Sequence, residues 1–453
     1  MRYEEYKKGE YDWLPEIPAH WGRYPLRKIL SLADERKGNA TDLQLLSVYR
    51  EYGVIPKSSR NDNKNHESED TSKYKVVKAS DIVINKMKLW QGSLGVSKYD
   101  GFVSPAYIVA HTYFDGNLDY LNLLLRSPLF KTYYNRISYG IRVGQWDSDF
   151  YDFKRLVIPV PPREEQDQIV RYLDWKVSCI NKLIHGYQRQ IKLLEERRQT
   201  VVNDVVVHGI SEAPRHRVKA AWMDNVPHNW SEMRMKNFFT EINERSVDGH
   251  EPHLSMSQKK GLVTDDENIE RRLLSESYAG GKLCQKDDLV LNRLKAHLGV
   301  FALAPQLGVI SPDYTVLRLN TSRVRPLYAE YLLKSIACRR ELRIRVRGIV
   351  EGFWRLYTED LGSIYVCLPP LEEQDQILEY VQGQEKKYKF AIERIEKQIA
   401  LLKEYRTRLI SDVVTGQMDV RGVVIPDYTP EDDTEENEAD EGTTDEEVSM
   451  DAD

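Results

Sequence analysis

Two stretches that carry cations and polar or aromatic side chains occur once in each half of the chain. In the first half these candidates for DNA contact are Lys86, Lys88, Gln91, Arg142 and Gln145, and in the second half they are Arg293, Lys295, His297, Arg347 and Arg355. Arginine and lysine pair with phosphates or guanine edges, and glutamine can read adenine. The alternative is that the cations form a solvated strand edge. The neighbouring Trp146 and Trp354 are interpreted as core anchors.

No catalytic signature accompanies these residues. The two proline pairs are followed by Arg163 and Leu371 rather than completing the loop of amino-methyltransferases, and the sequence has neither a phosphate-binding loop nor a dinucleotide-binding glycine motif. Asp152 and Lys154 could be half of a nuclease site, but the second half has no matching pair. We therefore interpret them as a solvated strand entry and expect a binding protein rather than an enzyme.

Two long helices are predicted to follow the globular regions that carry the candidates. Pro161-Pro162-Arg163-Glu164-Glu165-Gln166 returns 208 residues later as Pro369-Pro370-Leu371-Glu372-Glu373-Gln374. Prolines followed by acidic residues are typical of a helix N-terminus. Each pattern ends at a glycine suited to a helix C-cap, Gly209 or Gly416. Each helix is thus expected to have about 44 residues and a length of roughly 65 Å.

Both helices carry an apolar stripe at heptad spacing, which predicts that they pair. The residues of the two stripes are Val177, Ile180, Ile184, Tyr187, Ile191 and Leu194 in the first, and Tyr388, Ile392, Ile395, Ile399 and Leu402 in the second. Oligomerisation is the more common use of such a stripe. Because both copies lie in one chain, an antiparallel pair within the molecule is the alternative that we favour.

Each globular region is predicted to be α+β. Trp13, Ile17-Pro18 and Trp21 open the first region, and Trp222, Val226-Pro227 and Trp230 open the second. Short apolar runs predict strands at residues 81–85, 156–160, 288–292 and 364–368, and apolar spacing predicts short helices at 120–127 and 328–335. The echoes keep one order and nearly one offset, so the sequence predicts a duplicated domain plus helix.

Charge divides the chain into a basic body and an acidic end. The formal net charge is −6, but the fourteen Asp and Glu of residues 426–453 leave the preceding 425 residues at +8. Such a body permits a polyanionic partner, and the acidic end is interpreted as a disordered tail, with a regulatory or competitor role as the alternative. Four scattered cysteines indicate neither a zinc site nor a disulfide framework. Without an apolar leader or span, we expect a soluble cytoplasmic protein.

From Trp13 to about Gly422 the chain resembles the specificity subunit of type I restriction-modification systems. The resemblance rests on the tryptophan opening, the helix start that is clean at Leu368–Gln374 and varied at Val160–Gln166, and their repetition in order. It implies two target recognition domains separated by two long helices paired as an antiparallel coiled coil, with a pseudo-twofold internal duplication. The domains implied are 1–160 and 210–368 for target recognition, 161–209 and 369–416 for the central and C-terminal conserved helices, and 417–453 for the tail.

The resemblance also implies a non-catalytic reader of a bipartite double-stranded DNA target. Its helices would set the spacer and dock two methyltransferase subunits, to which two restriction or translocase subunits can add. S-adenosylmethionine, ATP and Mg would be used by those partners, and this chain itself would bind no cofactor or metal. The alternatives are a free-standing DNA-binding coiled-coil protein without a methylase partner, and an enzyme whose site is not recognised.

Overall fold

The computed structural model describes residues 2–39, 43–50, 52–59, 70–140, 146–257, 261–264, 278–348 and 354–431. The chain divides into two compact units. The first unit consists of Met1–Gln188 and Glu396–Asp453, and the second of Arg189–Ile395. Each unit therefore contains one globular region, the start of the long helix that follows it and the end of the other long helix.

Strands and three short helices make up the globular part of the first unit. The strands are β1 (Tyr6–Tyr11), β2 (Leu14–Pro18), β3 (Gly22–Pro25), β4 (Leu30–Ala33), β5 (Gln44–Tyr49), β6 (Gly53–Pro56), β7 (Lys75–Val77), β8 (Ile82–Asn85), β9 (Leu94–Val96), β10 (Gly101–Val103), β11 (Tyr107–Thr112), β12 (Ser138–Tyr139), β13 (Asp147–Ser148) and β14 (Val157–Val160). The short helices are α1 (Leu118–Arg126), α2 (Pro128–Ile137) and α3 (Phe150–Phe153).

Two four-stranded sheets organise this unit. One has the order β4-β11-β8-β9 and is antiparallel throughout. The other has the order β6-β5-β10-β7, in which β5 and β10 run parallel. Strand β8 is buried at Ile82, Val83 and Ile84, as a short continuous apolar run predicts. The first sheet therefore holds β8 between two neighbouring strands, and this positions the loop that follows β8.

The second unit repeats the antiparallel sheet and the helix pair. Its strands are β15 (Arg215–Arg217), β16 (Asn225–Pro227), β17 (Ser231–Arg234), β18 (Phe239–Ile242), β19 (Leu254–Ser257), β20 (Gly261–Thr264), β21 (Lys282–Cys284), β22 (Leu289–Asn292), β23 (Phe301–Leu303), β24 (Gly308–Ile310), β25 (Tyr314–Leu319) and β26 (Tyr365–Leu368). Its sheet order β18-β25-β22-β23 has the same antiparallel pairings as β4-β11-β8-β9. The strands predicted at 81–85, 156–160, 288–292 and 364–368 are thus confirmed.

The long helices have the bounds that their end signals predict. Helix α4 spans Arg163–His208 and has 46 residues. Three short helices follow in the second unit, α5 (Pro326–Lys334), α6 (Ile336–Arg343) and α7 (Thr358–Ser363), and then α8 spans Leu371–Val414, with 44 residues. Gly209 and Gly416 adopt φ of 75° and 76°, a left-handed conformation that glycine adopts without a Cβ clash. Helices α1 and α5 confirm the two predicted short helices.

The beginning of the C-terminal tail is packed, which corrects the prediction that all of 417–453 is disordered. Val420 is fully buried in the core of the first unit, and the Gln168 amide donates to its carbonyl oxygen over 3.1 Å. Further along, the backbone amide of Glu431 donates to the Ser178 hydroxyl oxygen over 2.9 Å. Apolar burial and these hydrogen bonds hold the segment along α4. The remainder of the tail lies outside the described residues.

Candidate nucleic-acid interface

In the first unit, three predicted contact residues lie on the loop after β8. The side chain of Asn85, the last residue of β8, accepts a hydrogen bond from the backbone amide two residues on over 3.2 Å. Gly92 closes the loop with φ of 88°, which favours glycine. Within this turn the residues are half-buried Lys86, exposed Lys88 and half-buried Gln91. The other predicted contacts of this half, Arg142 and Gln145, lie outside the described residues.

A two-stranded arm, residues 138–140 and 146–148, reaches this loop. Strands β12 and β13 pair antiparallel, and the residue before β13 is Trp146. Its ring lies 5.0 Å from the ring of Trp90, centroid to centroid. Beside it, the Lys86 ammonium lies 3.0 Å from Oδ2 of Asp147. The structure therefore brings Trp146, at the end of the second predicted stretch, against the loop after β8.

The corresponding loop in the second unit follows β22. The Asn292 side chain accepts hydrogen bonds from the backbone amides two and three residues on, over 3.1 and 3.3 Å. Gly299 closes this loop with φ of 82°. The predicted contact residues on it are half-buried Arg293, exposed Lys295 and half-buried His297. The asparagine turn and the closing glycine are thus the same as in the first unit, while the side chains between them differ.

A second arm, residues 346–348 and 354–356, completes the arrangement. The backbones of Arg347 and Arg355 bond to each other in both directions, over 2.9 and 2.8 Å. The backbone amide of Leu356 donates to the carbonyl oxygen of Arg293 over 3.1 Å, and the Trp354 ring lies 5.8 Å from the His297 ring. The predicted residues of the second half therefore also converge.

On the second arm, Arg347 forms an ion pair with a carboxylate. The Arg347 side chain is 69% exposed, and its partner Asp360, on α7, is 17% exposed.

The charge state of His297 is set by its surroundings. Burial and the nearby Arg343 and Arg339 lower the pKa of His297. His297 is therefore neutral at pH 7 and can act there as a hydrogen-bond donor or acceptor rather than as a cation.

The two tryptophans are not core anchors. Trp146 and Trp354 are half-buried, and each packs against an aromatic side chain of the neighbouring loop. The prediction of a core position was wrong because an isolated tryptophan in a sequence gives no sign of its partner. Ring contacts of this kind hold a loop in place while leaving part of the indole exposed.

All eleven side chains predicted to pair the helices are buried or half-buried. Ile180, Ile184 and Tyr388 are buried, and Val177, Tyr187, Ile191, Leu194, Ile392, Ile395, Ile399 and Leu402 are half-buried. In the first unit Ile180 and Ile184 of α4 belong to one apolar core with Leu409 of α8. The Arg406 guanidinium also donates to the Asn181 side-chain oxygen over 2.7 Å. The helix ends of this unit therefore contact each other.

The repeated motifs meet at one buried carboxylate in the first unit. Glu165 accepts hydrogen bonds from the Tyr3 hydroxyl over 2.6 Å and from the Trp21 indole over 3.0 Å, and it lies 2.8 Å from the His20 ring. The Tyr120 hydroxyl donates to the carbonyl oxygen of Val414, at the end of α8, over 3.1 Å. One cluster thus joins the opening motif, the start of α4 and the end of α8.

The second unit has an equivalent cluster. Glu373 accepts from the Trp230 indole over 3.1 Å and from the Asn229 amide over 2.8 Å. The Tyr328 hydroxyl donates to the carbonyl oxygen of Val206, near the end of α4, over 2.8 Å. The sequence shows the repeated tryptophan and glutamate but not the hydrogen bond between them. The available signal was their nearly equal offset, 209 residues for the tryptophans and 208 for the glutamates.

No group of three or more His, Cys, Asp and Glu in the described ranges is placed to hold a metal ion. Burial raises the pKa of the Cys284 thiol to about 11 and that of Cys367 to about 12, so both stay protonated at neutral pH. Within the same ranges, no helix has the length and apolar character that a membrane span requires.

Parts of the sequence are similar to known proteins. Residues 21–193 match the family described as the type I restriction modification DNA specificity domain. The chain is 23% identical over 286 residues to a Methanocaldococcus jannaschii protein assigned as the specificity subunit of the type I restriction enzyme MjaX, which covers 62% of this chain and 63% of the relative. It is 24% identical over 327 residues to the EcoKI specificity subunit of Escherichia coli K12, covering 64% and 67%.

A solved structure shares the fold. It concerns complex assembly and conformational transition of the type I R-M system, and it aligns with a TM-score of 0.58 and 16% identity over 89% of this chain and 99% of the other. The chain is therefore similar to type I restriction-modification specificity subunits, over part of its sequence in the matches above and over most of its length in fold.

Proposed function

We propose that this chain is the DNA-reading subunit of a type I restriction-modification complex. The observation that carries the proposal is the repeated interface: each unit joins a turn-fixed loop and a two-stranded arm through an aromatic pair. The backbone arrangement is shared, and the polar side chains on it differ between the units. Each unit then reads its own half of a bipartite double-stranded target.

The long helices act as an antiparallel coiled coil in this proposal. Support comes from the cores: the start of α4 and the end of α8 share one core in the first unit, and Val206 of α4 shares another with Ile377 of α8 in the second. Such a pair would set the spacer between the half-sites and give the molecule its pseudo-twofold duplication.

Catalysis belongs to partner subunits. The EcoKI relative is named as one subunit of a restriction enzyme, and we propose that this chain docks two methyltransferase subunits and two restriction subunits. The partners would use S-adenosylmethionine, ATP and Mg, and the chain itself would be non-catalytic and cytoplasmic. Exposed apolar side chains on the long helices, Leu183, Leu193, Phe390 and Leu401, are available for such docking.

Methylome sequencing tests the proposal. A host that expresses the chain with its modification subunit should methylate a split sequence, and the modification should disappear when the chain is deleted. Replacing residues 1–160 with the equivalent region of a related subunit should change one half of the sequence only. Methylation that is independent of the chain, or simultaneous change of both halves, would contradict the proposal. Methyl transfer by the purified chain alone would show that it is an enzyme.

A further inference from the structure

Each unit holds one of its interface cations with a carboxylate. In the first unit the Lys86 ammonium, with a side chain 36% exposed, lies 3.0 Å from Asp147, which is 58% exposed. In the second unit Asp360 pairs with the exposed guanidinium of Arg347. The second pair is the more rigid, because Asp360 is largely buried and lies on a helix.

The two pairs are built on one backbone frame. Tyr139 and Asp147 are directly opposite each other on the first arm, as Arg347 and Arg355 are on the second, 208 residues further on. On the first arm the carboxylate belongs to the arm and the cation to the neighbouring loop. On the second arm the cation belongs to the arm, and the carboxylate comes from α7. A cation–carboxylate pair therefore occurs at both arms, although the two pairs are formed by residues at different positions.

A carboxylate at this place is unfavourable for simple phosphate binding. It repels the DNA backbone, and an exposed ion pair adds little stability. What it does supply is orientation. A guanidinium has five N–H donors, so a carboxylate that accepts from one nitrogen restrains the group and leaves the other donors for a guanine edge. A lysine held by one of its three donors is likewise directed to one point.

We propose that Asp147 and Asp360 are positioning residues that set base discrimination, Asp147 in the half-site of the first unit and Asp360 in that of the second. They act through Lys86 and Arg347 and do not themselves contact DNA. This inference rests on the proposed function. It predicts that losing either carboxylate weakens discrimination at one base pair while binding to arbitrary DNA stays equal or becomes stronger, because one negative charge is gone.

The test compares Asp147→Asn, Asp360→Asn and Glu359→Gln in the full chain with its modification subunit. Glu359 is exposed and adjacent to Asp360, so its variant removes the same charge from the same surface. Competition binding against every single-base variant of the target is measured for each protein. Asp360→Asn should lose about tenfold of its discrimination at one base pair of one half-site. Asp147→Asn should do so in the other, and Glu359→Gln should keep full discrimination.

Two further variants separate positioning from folding. Arg347→Lys keeps the charge but removes the fork, so it should lose discrimination at the same base pair as Asp360→Asn. Asp360→Glu keeps the carboxylate and should therefore retain part of the discrimination that Asp360→Asn loses. The melting temperature of every variant is the check on folding. The inference is overturned if Asp360→Asn and Glu359→Gln change binding to all sequences alike, or if discrimination is lost in both half-sites. A wild-type complex without a bipartite preference would instead reject the proposed function.

Discussion

Replacing Glu165 with alanine should destabilise the first unit far more than replacing its neighbour Glu164. Glu165 is buried and serves the Tyr3 hydroxyl, the Trp21 indole and the His20 ring. Glu164 is exposed on the same helical turn. The two variants remove the same charge at the same helix end, so their difference isolates the buried hydrogen bonds from the helix dipole.

The magnitude follows from which donors can reach water after the change. Tyr3 and Trp21 are buried and His20 is partly exposed, so Glu165→Ala leaves two buried donors without an acceptor. Each costs about 1–3 kcal/mol, which gives about 2–6 kcal/mol in the free energy of opening of the first unit. Glu164→Ala should stay within about 0.5 kcal/mol of the unchanged protein.

The second unit supplies a graded comparison. Glu373 serves Trp230, which is buried, and Asn229, which is exposed. Glu373→Ala therefore leaves only one buried donor without an acceptor, and the expected cost is about 1–3 kcal/mol. Glu372 is exposed at the matching neighbour position and is the control.

Hydrogen exchange with mass spectrometry measures the free energy of opening separately for peptides of each unit. Glu165→Ala should accelerate exchange in the first globular region, Glu373→Ala in the second, and the larger effect should be in the first. Equal effects of Glu165→Ala and Glu164→Ala would refute the reasoning, since they would mean that the cluster contributes nothing beyond the charge at the helix end.

Three shorter predictions concern the interface, the helices and the thiols. Lys295→Ala should lower the slope of DNA affinity against salt by about one, whereas His297→Ala should leave the slope unchanged because that ring is neutral at pH 7; equal slopes would contradict this. Inserting seven residues after both Gln190 and Gln398 adds about 10 Å of helix, so the spacer in the methylome should grow by roughly three base pairs with the half-sites unchanged. Among the four thiols, half-buried Cys179 should react first with a thiol reagent in the folded chain, and rapid reaction of all four would show that the buried ones open easily.

The sequence predicted the local elements well because their causes lie within a few residues. Proline and acidic residues start α4 and α8, and glycine ends them, and these signals act through the helix dipole and the backbone. The buried strands β8 and β22 are short apolar runs whose composition alone indicates them. The loops that follow these strands were identified because cations and polar side chains stand at corresponding positions in both halves of the sequence.

Composition did not predict the structure of segments whose conformation depends on tertiary packing. The fourteen acidic residues of 426–453 led to the prediction of a disordered tail. Composition did not indicate that apolar residues and backbone groups in the first part of the tail pack against α4. Val420 and Glu431 find partners about 250 residues earlier in the chain. The tryptophans of the arms were misjudged for the same reason, since their partners are on another loop.

The sequence by itself therefore determined the helix ends, the strands β8, β14, β22 and β26, and the loops that carry the cations. Tertiary structure alone decided which groups meet: Glu165 with Trp21, Glu373 with Trp230, and Asp360 with Arg347. The physical reason is range. Helix and turn signals act between residues a few positions apart, whereas a hydrogen bond between residues 144 positions apart exists only after the sheet and the helix ends have packed around it.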